Sequence, residues 1–303
     1  MADALYGPDG FYRRPGAPRR HFRTAAQVSP LWAQCWYELA SRVAAAVPDE
    51  FTVVEIGAGG GELLAGLAAL APGGWRLVGV EVAPRPIELP DRVEWLADPP
   101  PAFQGLAIAV EWLDVVPVDV AERGVDGWRL IEVDVTGDER LGDVPPDDDL
   151  AWLRTWCPDG SERVEIGRSR DDAWRAFADR LTRGVAVAVD YAVEQQGAGT
   201  LTGYRAGRQT RPVPDGRHDV TAHVFFDSLA GLARPNAMRL TQREALKRLG
   251  LRADPPAYDT DPRAHLDALA AVSRAAELID PHGLGGFTWL VEARGVALED
   301  CFA

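Results

Sequence analysis

The chain has 303 residues, 32 basic and 46 acidic, for a formal net charge of −14, and 47% of its residues are hydrophobic. This suits one large or two modest globular domains, excludes wholesale disorder, and argues against general binding to phosphate backbones, so no nucleic-acid partner is expected. No apolar run is free enough of Pro, Gly and acids to span a membrane, no signal-peptide segment opens the chain, and Cys35, Cys157 and Cys301 are too scattered for a disulfide framework or a zinc site, so a cytoplasmic location is expected.

Residues 1–23, with a basic cluster at Arg13, Arg14, Arg19, Arg20 and Arg23, read as a solvated arm. Residues 29–47 read as a helix, with Ser29 as N-cap, Pro30 in the first turn and an apolar stripe of Trp32, Trp36, Leu39 and Val43. Strands follow at 51–56, 75–81, 93–96 and 106–110, with a helix at 62–70 between the first two. Such alternation predicts an α/β fold, a mostly parallel sheet with helices on both faces. Residues 115–122 and 128–135 flank a Gly-Val-Asp-Gly turn and predict an inserted β-hairpin. Residues 137–149 read as an acidic loop, 170–182 as a helix ended by Gly184, and 185–190 as another buried strand. A long loop is expected over 195–220, a helix capped by Asp219 and Thr221 up to about 233, helices at 241–249 and 262–278, and a last strand at 287–293.

The stretch Glu55-Ile56-Gly57-Ala58-Gly59-Gly60-Gly61 lies between the first strand and its helix, where glycines permit a sharp turn and close approach of a ligand. The third glycine of a dinucleotide fingerprint is absent, since that position is Glu62 or Leu64, and no Gly-Lys-Ser/Thr phosphate loop occurs. The spacing Gly57-x-Gly59-x-Gly61, with Glu55 in the strand, resembles motif I of the S-adenosylmethionine-dependent methyltransferases. Glu81 ends the second strand, where a carboxylate can accept hydrogen bonds from ribose hydroxyls. Trp95 and Asp98 follow the third strand, on the side expected for an adenine.

Residues just past the carboxyl ends of parallel strands line the ligand crevice. Glu111 and Asp114, directly after the 106–110 strand, are therefore the candidate catalytic residues, able to hold an incoming amine or guanidine and localise its lone pair. Asp190 and Tyr191 end a later strand, and Tyr204 and His223 lie in the polar segments beyond, giving four candidate substrate contacts. The spacing of His218, Asp219 and His223 is too loose for a metal site, and none is expected.

Together these segments resemble one family, the MidA-like methyltransferases, whose mitochondrial member is an assembly factor of respiratory complex I. The resemblance runs from Phe22-Arg23-Thr24 through Glu55 to Gly59, Glu81-Val82-Ala83-Pro84, Glu111-x-x-Asp114, Asp190-Tyr191, Thr200-Leu201 and Asp219-x-Thr221-Ala222-His223-Val224 to Thr241-Gln242. The sequence departs from the family pattern at Val110, Ala192 and Ala25-Ala26-Gln27, all near the presumed substrate side. The resemblance implies a Rossmann-like class I methyltransferase, S-adenosyl-L-methionine held by Glu55, Gly57, Gly59, Gly61, Glu81 and Asp98, and methyl transfer to an arginine of an acceptor protein such as a respiratory-complex subunit. A small-molecule acceptor, or a binding protein without turnover, are the other readings. The expected layout is an arm and helix over 1–50 packed over the site, and a catalytic domain over 51–303 whose insertions, at about 112–182 and 195–280, form a substrate lid.

Overall fold

The computed structural model describes residues 1–14, 29–157, 160–194, 199–233, 237–253 and 262–302. In chain order the strands are β1 (Thr52–Ile56), β2 (Arg76–Val80), β3 (Val93–Leu96), β4 (Phe103–Val110), β5 (Val120–Gly124), β6 (Gly127–Val133), β7 (Glu139–Leu141), β8 (Arg163–Glu165), β9 (Leu181–Asp190), β10 (Thr202–Arg205), β11 (Arg208–Thr210), β12 (Asp219–Thr221), β13 (Met238–Thr241) and β14 (Thr288–Arg294). The helices are α1 (Ala2–Tyr6), α2 (Pro30–Ala46), α3 (Glu62–Leu70), α4 (Asp147–Trp156), α5 (Arg168–Ala178), α6 (Phe226–Leu232), α7 (Gln242–Arg248), α8 (Pro262–Leu278) and α9 (Leu298–Cys301).

Seven strands form the central sheet in the order β13-β14-β9-β4-β1-β2-β3. The run from β9 to β3 is parallel, while β14 pairs antiparallel with both β9 and β13. Alternate side chains of the strands go to opposite faces. Val53, Leu77, Ile108 and Val187 meet α2, α3, α7 and α8 on one side, and Val54, Val78, Ala107 and Ala186 meet α5 and α6 on the other. The helix expected over 29–47 forms, its Ser29 hydroxyl accepting from the Leu31 amide at 3.2 Å, and its stripe packs Trp32 and Trp36 against Trp289 of β14. No described helix is long and apolar enough to cross a membrane.

Several expectations are corrected. Gly184 does not end a helix: α5 stops at Ala178 and Gly184 lies inside β9, opposite Gly105 of β4. A Cβ at Gly184 would sit 1.9 Å from the Gly105 carbonyl oxygen, so the two glycines allow the strands to close. Residues 147–149 are not loop. They open α4, where three aspartates stand in the first turn and complement the helix dipole. Asp219 and Thr221 cap no helix, since they form β12, which with β10 and β11 makes a three-stranded sheet within the expected loop, and α6 starts only at Phe226. The strand β13 has no counterpart in the sequence reading, and neither does β7, which joins the predicted hairpin β5–β6 in a four-stranded sheet with β8. Residues 1–14 are not a solvated arm: Leu5 and Phe11 are buried against Val115 and Val220. Arg19, Arg20 and Arg23, the Phe22–Thr24 segment and the departures at 25–27 lie outside the described residues.

Candidate cofactor and acceptor site

The turn after β1 is built as its glycines require. Gly57, Gly59 and Gly61 have φ of +66°, +56° and +72°, in the left-handed region that side chains with a Cβ resist. The Gly57 and Ala58 amides donate to the Val80 carbonyl at 2.9 and 3.2 Å, tying the turn to the end of β2, and α3 starts directly after Gly61. Gly59 faces open space, with nothing within 4 Å of where a Cβ would stand, whereas one at Gly57 would meet Trp112 at 2.6 Å and one at Gly61 would meet Leu89 at 2.7 Å.

A cavity of about 540 Å³ opens over this turn, within the range of small-molecule sites. Glu55, Gly57, Gly59, Glu81, Asp98, Glu111, Asp114, Tyr191, Tyr204 and His223 all line it. Gly61 does not; it supports the turn from behind as the residue before α3. The Glu81 carboxylate accepts from the amides of Gly59 (2.9 Å), Val82 (2.7 Å) and Ala83 (3.1 Å), so it braces the glycine turn as well as facing the cavity. Burial holds its pKa above the usual carboxylate range, against those three bonds. Glu55 is buried, one of its carboxylate oxygens has no hydrogen-bond partner, and burial together with the charges of Glu62 and Glu81 pushes its pKa well up. Trp95 lies away from the cavity: its indole donates to the Ala83 carbonyl at 3.0 Å and its ring covers Gly79.

Past β4 the backbone turns at Glu111, which takes φ of +49°, a rare value for a residue with a side chain. Its amide donates to the Val189 carbonyl at 2.8 Å, and the Tyr191 hydroxyl lies 3.5 Å from its carboxylate. Tyr191 stacks on His223, with ring centroids 6.0 Å apart. Asp114 is buried, and desolvation raises its pKa above the usual range in spite of the nearby Arg170. Asp190 departs from its expected role. It is fully buried and does not line the cavity; its two oxygens accept from the Asp114 amide (3.0 Å) and the Tyr191 amide (2.9 Å), so it locks the 111–116 loop to the end of β9.

Three residues here have no signal in the sequence, and a fourth, Asp219, is expected there as a helix cap. Arg170 of α5, only 2% exposed, donates to the carbonyls of Asp114 (2.7 Å), Val116 (3.3 Å) and His223 (2.8 Å), clamping two cavity walls together. Asp219 of β12 lines the cavity, both its oxygens accepting from the Tyr12 hydroxyl at 2.8 and 2.9 Å. Tyr12 and Tyr6, stacked at 5.5 Å, line it too, and Tyr6 donates to the Val115 carbonyl at 3.2 Å. Of the insertions expected at about 112–182 and 195–280, the described residues that line the cavity are Trp112, Asp114 and Val115 in the first and Tyr204, Asp219 and residues 221–223 in the second, while α4, α5, β5–β8 and the described part of residues 226–280 contribute nothing to the lining. His218 pairs with Asp215 at 2.8 Å, away from His223, so the two histidines do not converge.

A sheet that reverses at one strand, with a glycine turn after β1 and an acid closing β2, defines a Rossmann-like α/β methyltransferase fold. A family model described as "Putative S-adenosyl-L-methionine-dependent methyltransferase" matches residues 77–242, and the chain belongs to that family. A crystal structure of a superfamily member from Burkholderia thailandensis bound to S-adenosyl-homocysteine is similar over all of this chain and 89% of its own, at 26% identity and a TM-score of 0.78. The native structure of a superfamily protein from the same organism is similar at 27% identity and a TM-score of 0.77, over all of this chain and 88% of its own. No curated protein matches the sequence. The site fits the family's cofactor on its own terms: Gly59 leaves a cradle that a Cβ would fill, and Glu55, one of whose oxygens is buried without a hydrogen-bond partner, lines the same space.

Proposed function

We propose that this chain transfers a methyl group from S-adenosyl-L-methionine to an arginine side chain of an acceptor protein. The observation that carries this reading is Glu111: a backbone at φ +49° sets it in the cavity wall, its carboxylate 3.5 Å from the Tyr191 hydroxyl. When bound, the cofactor supplies an electrophilic sulfonium methyl group. Glu55, Gly57, Gly59, Glu81 and Asp98 would hold it, their carboxylates complementing its positive charge. A guanidinium presents N–H donors in a rigid fork that matches a carboxylate. Glu111 would orient one such nitrogen, concentrate its lone pair toward the methyl group, and take the proton that this nitrogen sheds once its N–C bond forms and the C–S electron pair leaves with sulfur. The net charge of −14 favours the approach of a basic segment.

Incubation of the purified protein with labelled cofactor and a cell lysate tests the reading. The expected result is label on arginine of a protein band, reduced at least about 100-fold in Glu111→Gln while S-adenosyl-homocysteine affinity is kept, as for loss of a general base. Label found only in small molecules, or an equally active Glu111→Gln, overturns it.

A further inference from the structure

Three tyrosines and two buried carboxylates meet in the cavity wall. Asp219 is 3% exposed and Asp114 5%, and both line the cavity. One oxygen of Asp114 is buried without any hydrogen-bond partner, and the single hydroxyl of Tyr12 serves both oxygens of Asp219. Tyr6 and Tyr12 come from the N-terminal segment, and Tyr204 stands opposite Asp219 across the β10–β12 pair. Among the described residues, no lysine or arginine lines the cavity. Arg170 lies behind the wall with its guanidinium directed at three backbone carbonyls. Buried carboxylates are ordinarily paired with a cation or fully hydrogen-bonded; here one Asp114 oxygen has no partner, the nearby Arg170 spends its hydrogen bonds on carbonyls, and no described cation lies beside Asp219 in the cavity lining. Aromatic rings beside such acids add attraction for a flat, weakly hydrated cation.

We propose that Asp114, Asp219, Tyr6, Tyr12 and Tyr204 form a cation box that receives the acceptor's guanidinium and rejects a neutral side chain of the same shape. The assignment rests on the arginine reading above and adds its specificity element: Glu111 meets one edge of the guanidinium, and the box meets the rest. Without a cation in place, burial and the neighbouring Asp114 push the Asp219 carboxyl up to about 7. The titratable groups facing it are Tyr12 and Tyr6 from the N-terminal segment, Asp114 from the loop after β4 and Tyr204 from β10. Burial raises Tyr6 and Tyr12 above the ordinary tyrosine range, so both stay neutral near pH 7. A guanidinium in the box stabilises the aspartate anions, so its binding releases protons near neutral pH and tightens from pH 6 to pH 8.

Calorimetry on protein saturated with S-adenosyl-homocysteine compares two probes, N-acetyl-arginine amide and its neutral isostere N-acetyl-citrulline amide. The wild type is expected to bind the arginine probe at least about tenfold tighter, the scale of one charge-assisted contact, and to release protons as it does so. Asp219→Asn should abolish the preference and most of the proton release while S-adenosyl-homocysteine affinity stays within about twofold; Tyr12→Phe should weaken the arginine probe several-fold. Proton release and its pH dependence are read on the wild type, so the test survives a variant that fails to fold. An arginine preference that persists in Asp219→Asn, or binding without proton release, overturns the box and leaves the arginine reading intact. A wild type that binds both probes equally, or neither, overturns both.

Discussion

The two ends of the cavity hold their shape by different means. At the glycine turn the fixing contacts join neighbours in the parallel sheet: Gly57 and Ala58 to the Val80 carbonyl, and Gly59 to Glu81, only 22 residues away. There the backbone itself is the wall. At the tyrosine end the contacts are between side chains and remote loops, with 207 residues between Tyr12 and Asp219, 109 between Tyr6 and Val115, and 53 between Arg170 and His223. The first end is fixed largely by main-chain groups, with the Glu81 carboxylate as a side-chain brace. The second can be retuned by one substitution without touching the first. Val110 lines the cavity beside Glu111, and Ala192 bridges to Val224 next to His223.

The comparison can be broken most severely at Arg170. Arg170→Met leaves Asp114 and Asp190 buried without their cation and frees three carbonyls, so a loss of about 3–5 kcal/mol in unfolding free energy is expected from denaturant titration. The fraction still folded should keep its S-adenosyl-homocysteine affinity, and an equal loss at both ends would show that they are not separable. Gly59→Val tests the other end. A β-branched residue at φ +56° projects into open cavity, so calorimetry should find affinity for S-adenosyl-homocysteine down by at least about 100-fold with circular dichroism unchanged. Normal affinity there would remove the glycine turn from the cofactor site.

The smallest effect is a pH slope. The native Asp219 carboxyl titrates at about 7 against an ordinary value of 3.8, so the folded state keeps a proton that the unfolded chain has already lost. This contribution is fully present below the unfolded value and disappears as pH rises through about 7. The thermal midpoint of the wild type should consequently fall relative to that of Asp219→Asn between pH 5 and pH 8, by a few degrees in differential scanning fluorimetry. Parallel curves would place the titration elsewhere.

What could be read from the sequence follows the same division. The spacing of Gly57, Gly59 and Gly61 encodes three left-handed residues directly, and the apolar runs of β1, β4 and β9 encode buried parallel strands. Such signals are local. Asp219 followed by Thr221 has the composition of a helix cap, and only pairing with Thr202 and Tyr204 makes it a strand. Gly184 carries the same letter whether it ends a helix or allows a close strand approach, and the deciding partner is Gly105, 79 positions earlier in register. The prolines and acids of 143–149 resemble a loop because helix-start chemistry and loop chemistry use the same residues. Nothing near Tyr6, Tyr12 or Arg170 announces contacts more than 50 residues away.

Two tryptophans border the cavity, Trp112 against Gly57 of the glycine turn and Trp32 in ring contact with Trp36 and Trp289. Indole emission is therefore a built-in optical label of this cavity: an adenosyl group settling beside Trp32 and Trp112 should alter it.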